Sequence, residues 1–342
     1  MSTPSRHDAL DRNTLAWLRC LADPMAKAPC PKRNLAPDRV EGLIHGAIHH
    51  SVLPAVARRL RADERLSGKR PMPAIVSEQL TGLAARSLIL AHQGDRVVAG
   101  LAAAGIPATL VKGPIFARRL YPDPALRPFS DIDVLVPPKV RAESRSVMTG
   151  LGFRLSEQEK RAGLDYHEDQ WGLPGRDDVL IEIQDDLVHA PSLEGMSLSY
   201  DELVDAGGGD PKAATALLMI GAVHGAIGHQ FEALRFAVDV CQAARGVAGP
   251  IDVDALVAVA GRNRTKLALA LALDLAGRVF AEPACIDLAD RLGDPPGRSL
   301  CRILLSPATV LRAQGPARRR DSWRRKALRE VFKRRGGVEL PA

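Results

Sequence analysis

One short stretch of strand-type sequence, residues 105–138, most constrains the fold of this chain. The segment before it carries helical patterns, strand patterns begin only after Pro107, and helical patterns return after about residue 189. An apolar run at 108–111 leads into Lys112-Gly113-Pro114, and a proline-rich loop then leads into the run SDIDVLV at 130–136. Side chains alternate along a strand, so Asp131 and Asp133 are expected on one face and the apolar residues on the other.

Two neighbouring carboxylates repel each other unless a cation lies between them, and divalent cations with oxygen ligands are the usual partner. Glu182 lies within a second apolar strand pattern at 178–187 and supplies a third carboxylate. Three converging carboxylates predict a site for two metal ions. The alternative is that Asp131 caps a turn and Asp133 lies on a solvated strand face.

The residues Lys112-Gly113-Pro114 end a strand and open a helix, where free N–H groups can bind a phosphate. Gly113 permits close backbone approach and Lys112 can neutralise a phosphate oxygen. The Gly-x4-Gly-Lys-Ser/Thr pattern of a Walker A loop is absent. An ordinary strand-to-helix turn is the alternative. Arg127 is predicted either to reach a phosphate or to form a surface ion pair.

Composition indicates an ordinary globular protein of 342 residues, with 46% hydrophobic and 25% charged residues. No apolar run is long enough to predict a membrane span. Five scattered cysteines predict a reducing, cytoplasmic setting without a disulfide framework or a zinc site. The segment from Arg312 to Arg335 contains eleven Lys or Arg residues and two acids, so its net charge is +9. The whole chain has a net charge of +7, so the rest of it carries −2.

Helical patterns are predicted at 8–22, 37–62 with a break near Pro54, and 77–104. Strands are predicted at 108–111, 131–136, 152–155, 166–173 and 178–187, with a helix at 139–150. Further helices are predicted at 213–230, 231–244, 253–260, 266–281 and 298–312. The expected organisation is an α+β protein with an N-terminal helical region (1–105), an α/β core (106–190), a C-terminal helical domain (191–315) and a basic tail (316–342). The tail is either a charged helix or disordered.

Four polar residues fall on helical segments after the predicted core. Arg235 and Asp239 are four residues apart and predict an intrahelical salt bridge. His224 and His229 are predicted to be core histidines, since no cysteine or carboxylate lies at zinc-ligand spacing beside them.

The blocks LVKG at 110–113, LYPD at 120–123 and LRPFSDIDVLVP at 126–137 resemble the uncharacterised bacterial nucleotidyltransferase family. That family belongs to the DNA polymerase beta-like nucleotidyltransferase superfamily. The resemblance continues weakly through IEI at 181–183 and LRFAVD at 234–239 and covers most of residues 40–280. Members commonly carry a histidine beside the third carboxylate, where this chain has Gln184.

The resemblance implies a small mixed-sheet, polymerase beta-like domain flanked by helical segments. It implies that Asp131, Asp133 and Glu182 hold magnesium, with two ions. It also implies that a nucleoside triphosphate such as ATP binds near Lys112, Gly113 and Ser130. The predicted activity is magnesium-dependent transfer of a nucleotidyl group to a hydroxyl or phosphate acceptor, with release of pyrophosphate (EC 2.7.7 type).

Three hypotheses about the acceptor and the activity remain open from the sequence. The acceptor is a peptide, a small molecule or a glycan-related compound in the first. In the second, a toxin-like enzyme modifies RNA that the basic tail holds through its phosphates. In the third, the chain is a non-catalytic nucleotide-binding partner protein.

Overall fold

The fold is that of the computed structural model, which describes residues 10–62, 74–156, 168–189, 193, 195–312 and 322–335. Four helices precede the sheet: α1 (Arg12–Ala22), α2 (Val40–His49), α3 (Leu53–Ala62) and α4 (Ala74–Ala103). The sheet region contains β1 (Thr109–Val111), α5 (Gly113–Leu120), β2 (Ile132–Leu135), α6 (Arg141–Gly150), β3 (Arg154–Leu155), β4 (Glu168–Leu173) and β5 (Arg176–Gln184).

The second helical region follows the sheet. It contains α7 (Tyr200–Ala206), α8 (Ala214–Val223), a π-helical turn (His224–Gly228), α9 (Leu234–Ala244), α10 (Val253–Arg262), α11 (Lys266–Phe280), α12 (Pro283–Arg291), α13 (Arg298–Leu304), α14 (Pro307–Leu311) and α15 (Trp323–Arg335). The predicted fold class is therefore confirmed: a mixed sheet lies between helical segments. The helices α7 and α12 were not predicted, because the apolar residues in these segments do not recur with a clear helical period.

The sheet has the strand order β1-β2-β5-β4-β3, and β2 and β5 run parallel while the other neighbours are antiparallel. In the β2–β5 pair, Asp133 lies directly opposite Glu182. Paired residues point to the same face of a sheet. This register therefore brings the two carboxylates together on one face.

The opposite face of β2 packs against the long helix α4. Ile132 and Val134 are fully buried there. Gly94 of α4 allows the close approach, because a methyl group at that position would lie 3.1 Å from Leu110 and 3.3 Å from Ile132. The helix thus covers one face of the central strands and leaves the carboxylates on the other.

The second helical region is built around α11, where all but one of the residues from Leu267 to Phe280 are buried. The basic helix α15 docks on this region through Leu328, Val331 and Phe332, which are buried. Arg325 of α15 donates to Glu232 at 2.9 Å and to Gln230 at 2.8 Å. Within the predicted basic tail, residues 323–335 therefore form a docked helix. Residues 316–321 and 336–342 lie outside the described residues.

The expectation about the cysteines is wrong for one pair. Cys20 at the end of α1 and Cys30 in the following loop are joined in a disulfide. Their ten-residue separation carried no recognisable spacing in the sequence, whereas the fold of that loop brings them together. Cys241, Cys285 and Cys301 are free and buried. None of the described helices is both long enough and apolar enough to pass through a lipid bilayer.

Candidate active site

Three carboxylates converge at the junction of β2 and β5. One oxygen from each of Asp131, Asp133 and Glu182 lies within 4.8 Å of the others. Asp131 immediately precedes β2, Asp133 lies within it, and Glu182 comes from the parallel neighbour β5. The three acids that the sequence pattern singled out thus share one small volume. Asp133 is only 3% exposed, so it does not lie on a solvated strand face.

Crowding of these acids changes the proton affinity of one of them. Removal of Glu182 from water raises its pKa to about 8, and the negative charges of Asp133 and Glu168 add to the effect. Lys112 acts in the opposite direction. A site that holds a carboxyl group protonated near neutrality has excess negative charge, and a bound cation would relieve it.

Lys112 provides part of the counter-charge from the end of β1. Its Nζ lies 2.6 Å from Oδ1 of Asp133, and both side chains are largely buried. The backbone of Lys112 has φ +60° and ψ −140°, a conformation that residues with a side chain rarely adopt. Such conformations cost about 1–3 kcal/mol and persist where the surroundings impose them. The strain turns the chain sharply into α5 and directs the lysine across the carboxylates.

Gly113 follows with φ +25° and opens α5. A methyl group there would lie 3.4 Å from the carbonyl oxygen of Asp131. The glycine therefore permits the first turn of α5 to lie against the loop that carries Asp131. This contact joins the predicted phosphate-binding turn to the predicted metal ligands.

A chain of polar side chains supports Asp133 from the other side. Gln184 donates from Nε2 to Oδ1 of Asp133 at 2.9 Å. His189 lies with Nε2 2.7 Å from Oε1 of Gln184 and Nδ1 3.1 Å from Glu168. The hydrogen bond from His189 lowers the pKa of Glu168 and keeps that carboxylate ionised. Gln184 thus fixes the orientation of Asp133.

Glu168 and His189 were not predicted from the sequence. Glu168 begins β4, and Gln170, two residues later, lies opposite Glu182 in the antiparallel β4–β5 pair. Gln170 Nε2 contacts Glu168 at 3.2 Å and Glu182 at 3.3 Å. The only available signal was the period of two that puts Glu168 and Gln170 on one face of β4. His189 follows β5 in a loop, where no periodicity applies.

Arg127 forms a buried ion pair with a residue outside the group of three carboxylates. Its Nε and Nη2 donate to the two oxygens of Asp239 at 3.2 and 2.8 Å, and both residues are at most 3% exposed. Tyr121 donates to the same carboxylate at 2.7 Å. Of the two roles predicted for Arg127, the structure shows an ion pair, but a buried one. This pair ties the loop before β2 to α9, so Arg127 positions that loop.

The predicted salt bridge between Arg235 and Asp239 is wrong, because Asp239 is engaged by Arg127. His224 and His229 lie edge to face with ring centres 4.5 Å apart, and His229 stacks on Phe236. Burial lowers the pKa of His224 well below its usual value, and nearby Lys112 acts in the same direction. His224 is thus packed in an aromatic cluster, as predicted for a core histidine. The prediction is wrong for His229, whose side chain is 35% exposed and lies 3.0 Å from Glu232.

The residues present fit a divalent cation. The three side chains offer only carboxylate oxygens, the donors that Mg²⁺ prefers. In the described part of the chain, Oδ2 of Asp133 and both carboxylate oxygens of Asp131 have no hydrogen-bond or ion-pair partner, whereas Oδ1 of Asp133 has two. The site therefore has carboxylate oxygens available to a cation, next to an Asp133 oxygen that Lys112 and Gln184 hold in place.

A family model described as an uncharacterised nucleotidyltransferase matches residues 37–281, more than half of the chain. The chain belongs to this family. It is accordingly an enzyme of the nucleotidyltransferase type, and the predicted family is confirmed. The matched range contains β1, the three carboxylates and the Arg127–Asp239 pair. A search of curated proteins and a search of solved structures each found no significant match.

Proposed function

We propose that this nucleotidyltransferase requires Mg²⁺ and transfers a nucleotidyl group from a nucleoside triphosphate to a hydroxyl or phosphate acceptor, releasing pyrophosphate. The observation that carries the proposal is the convergence of Asp131, Asp133 and Glu182 within 4.8 Å in a member of a nucleotidyltransferase family. Three carboxylates beside a strained strand-to-helix turn match what metal-assisted attack at a phosphorus atom needs.

The residues divide into those that hold metal and those that hold nucleotide. Asp131, Asp133 and Glu182 would hold the Mg²⁺, with two ions expected. The ions supply charge neutralisation at the phosphates and activation of the attacking oxygen. Gln184 and His189 keep Asp133 oriented, as supporting partners of metal ligands commonly do.

Lys112, Gly113 and Ser130 surround the triphosphate in this proposal. Lys112, whose Nζ now pairs with Asp133, would also be within its side chain's reach of a bound phosphate oxygen. The first turn of α5 offers free N–H groups beside Gly113, and the helix dipole favours an anion there. Ser130 is exposed and lies next to Asp131, so its hydroxyl can approach the same phosphates. Arg127 contributes by positioning the loop.

Magnesium-dependent nucleotide binding tests the proposal. Calorimetry with a non-hydrolysable ATP analogue is carried out on wild type, Asp131→Asn and Asp133→Asn, with and without Mg²⁺. We expect wild type to bind only weakly without Mg²⁺ and both variants to lose the Mg²⁺-dependent increase. Asp177→Asn, an exposed position at the start of β5, is the control and should bind like wild type. Equal Mg²⁺-dependent binding by all four proteins would refute the assignment.

The acceptor is proposed by class only: a hydroxyl or phosphate group on a peptide, a small molecule or a glycan-related compound. Mass spectrometry of candidate acceptors, after incubation with each isotope-labelled triphosphate, identifies the product by its added nucleotide mass. Products that form with wild type but not with Asp133→Asn support transfer. If nucleotide binds with Mg²⁺ but no acceptor is ever modified, the chain acts as a non-catalytic nucleotide-binding partner instead.

RNA as acceptor depends on the basic helix α15. Arg324, Arg329 and Lys333 are exposed on this helix, whereas its apolar side is docked. If these residues hold RNA, their replacement by glutamine weakens RNA binding and flattens its dependence on salt. RNA binding that is absent, or unchanged by these substitutions, removes this alternative.

A further inference from the structure

A cavity of about 520 Å³ lies between the N-terminal helices and the loop that precedes β2. Its apolar wall includes Leu53 and Pro54 from α3, Leu83 from α4, and Phe129 from the loop. Ser130 also lines it, and the next residue is Asp131. The volume lies in the range of small-molecule sites. The cavity therefore reaches the residue that precedes Asp131 in the chain, and it is large enough for part of a substrate.

Two arginines bring positive charge to this cavity, and none of the described residues that line it is acidic. Arg235 of α9 is largely buried, and its Nε has no hydrogen-bond partner. Among the described residues, its guanidinium forms no ion pair, and it lies over the ring of Phe236 at 5.0 Å. Arg86 of α4 donates from Nη2 to the carbonyl oxygen of Ser130 at 3.0 Å, and its Nε is also buried without a partner.

Asp239, the acid on the same helix as Arg235, forms its hydrogen bonds with other residues. Both oxygens of Asp239 accept hydrogen bonds from Arg127, and one also accepts from Tyr121. Burial and the neighbouring charge of Arg127 lower the pKa of Arg235. Asp239 and Asp131 attract this charge through space, but the pKa of Arg235 is still lowered, so they offset its desolvation only in part. A buried cation without a hydrogen-bonded counter-ion is unfavourable. An anion in the cavity would supply the missing partner.

We propose that this cavity binds an anionic group of a substrate, a phosphate or a carboxylate that is attached to an apolar body. Arg235 is the principal ligand of the anion and Arg86 the second. The apolar body contacts the wall formed by Leu53, Leu83 and Phe129. The inference rests on the proposed function only in taking the ligand to be a substrate of the three carboxylates. The donor nucleotide and the acceptor are its two possible sources.

Phenyl phosphate is a suitable probe, because it joins a phosphate to a small apolar ring. Its binding is measured by calorimetry without Mg²⁺, using wild type, Arg235→Met, Arg86→Met and Arg262→Met. Arg262 is the control, an exposed arginine of α10 paired with Asp205. A charge-assisted hydrogen bond is worth about 1.5–3 kcal/mol, so we expect Arg235→Met to weaken binding roughly tenfold or more. Arg86→Met has a smaller effect and the control none.

Thermal unfolding of the same proteins shows whether a substitution that weakens binding also destabilises the fold. Arg235→Met removes an unpaired buried charge and should melt at the same temperature as wild type or higher. Failure of wild type to bind phenyl phosphate, or equal binding by Arg235→Met, overturns the proposal. If Arg235→Met does not fold, Arg235→Lys, which keeps one charge but loses the planar fork, should show intermediate binding; binding equal to wild type would overturn it.

A second arm distinguishes the two sources of the anion. Wild type is saturated with a non-hydrolysable ATP analogue and Mg²⁺ before phenyl phosphate is added. Displacement of phenyl phosphate, together with weaker nucleotide binding by Arg235→Met, assigns the cavity to the donor triphosphate. Simultaneous binding assigns it to an anionic acceptor. Since the first arm contains neither metal nor nucleotide, Arg235-dependent binding of the probe stands even if the nucleotide test of the proposed function fails.

Discussion

Replacement of Glu182 by glutamine should stabilise the metal-free protein, and the gain should grow with pH. The fold raises the pKa of Glu182 to about 8 from an ordinary value of 4.5. The folded state therefore binds this proton more tightly than the unfolded chain does. Stability that is fully present below pH 4.5 is lost progressively as pH rises towards 8, because Glu182 must then ionise among Asp133, Asp131 and Glu168.

The size of the effect follows from the two pKa values. Ionisation of Glu182 costs the fold about 1 kcal/mol at pH 5, about 3 kcal/mol at pH 7 and about 5 kcal/mol at pH 9. Glutamine has the same shape, stays neutral and keeps an oxygen that can accept the contact from Gln170 Nε2. We therefore expect Glu182→Gln to exceed wild type in unfolding free energy by roughly these amounts.

Urea unfolding at the three pH values, in buffer that contains a metal chelator, measures the difference directly. Glu143→Gln is the matched control, since Glu143 is exposed on α6, and its difference from wild type should stay near zero throughout. A stability difference for Glu182→Gln that does not change with pH would refute the reasoning, as would a less stable variant at pH 9. Added Mg²⁺ should then stabilise wild type more than the variant, because only wild type can present the third carboxylate.

Three further outcomes can be checked. Mg²⁺ affinity of the wild type should rise between pH 6 and 8.5 in a calorimetric titration, because binding must displace a proton held with a pKa of about 8; a flat profile would contradict this. Asp239→Asn should lower the unfolding free energy by about 3–5 kcal/mol, since it leaves the Arg127 guanidinium buried without a counter-ion, whereas Asp205→Asn, in an exposed ion pair, should cost about 0–1 kcal/mol. Phe332→Ala should cost about 3–5 kcal/mol if α15 is docked as described, and Trp323→Ala, at an exposed site on the same helix, should cost far less; equal effects would argue against docking.

Local sequence patterns were sufficient to predict the central part of the site. Period-two alternation placed Asp131 and Asp133 on one face of a strand and Glu182 within another strand. Because parallel pairing in register was needed to bring these carboxylates together, their proximity was a hypothesis until the sheet order was known. The turn at Lys112 and Gly113 was equally visible, since a strand, a glycine and a helix-opening proline follow one another directly.

The hydrogen-bond and ion-pair partners of the site residues could not be predicted from sequence spacing. Arg127 and Asp239 are 112 positions apart, and the sequence favoured Arg235 as the partner only because it lies one helical turn away. Gln184 and His189 belong to the end of a strand and to a loop, where neither period applies. Such long-range pairs are set by how the helices pack around the sheet, and side-chain periodicity carries no information about that packing.

The pairing of β2 with β5 has a consequence for how this enzyme tolerates change. Ile181 and Ile183 fix the phase of β5 by facing the core, and Glu182 faces the site only because it has the opposite phase. A shift of one residue in that pairing would bury the glutamate and expose both isoleucines. The same strand register therefore determines both the apolar packing of β5 and the position of the third carboxylate. An insertion or deletion within β5 should abolish activity and folding at once, whereas a change of side chain at 182 alone should separate the two.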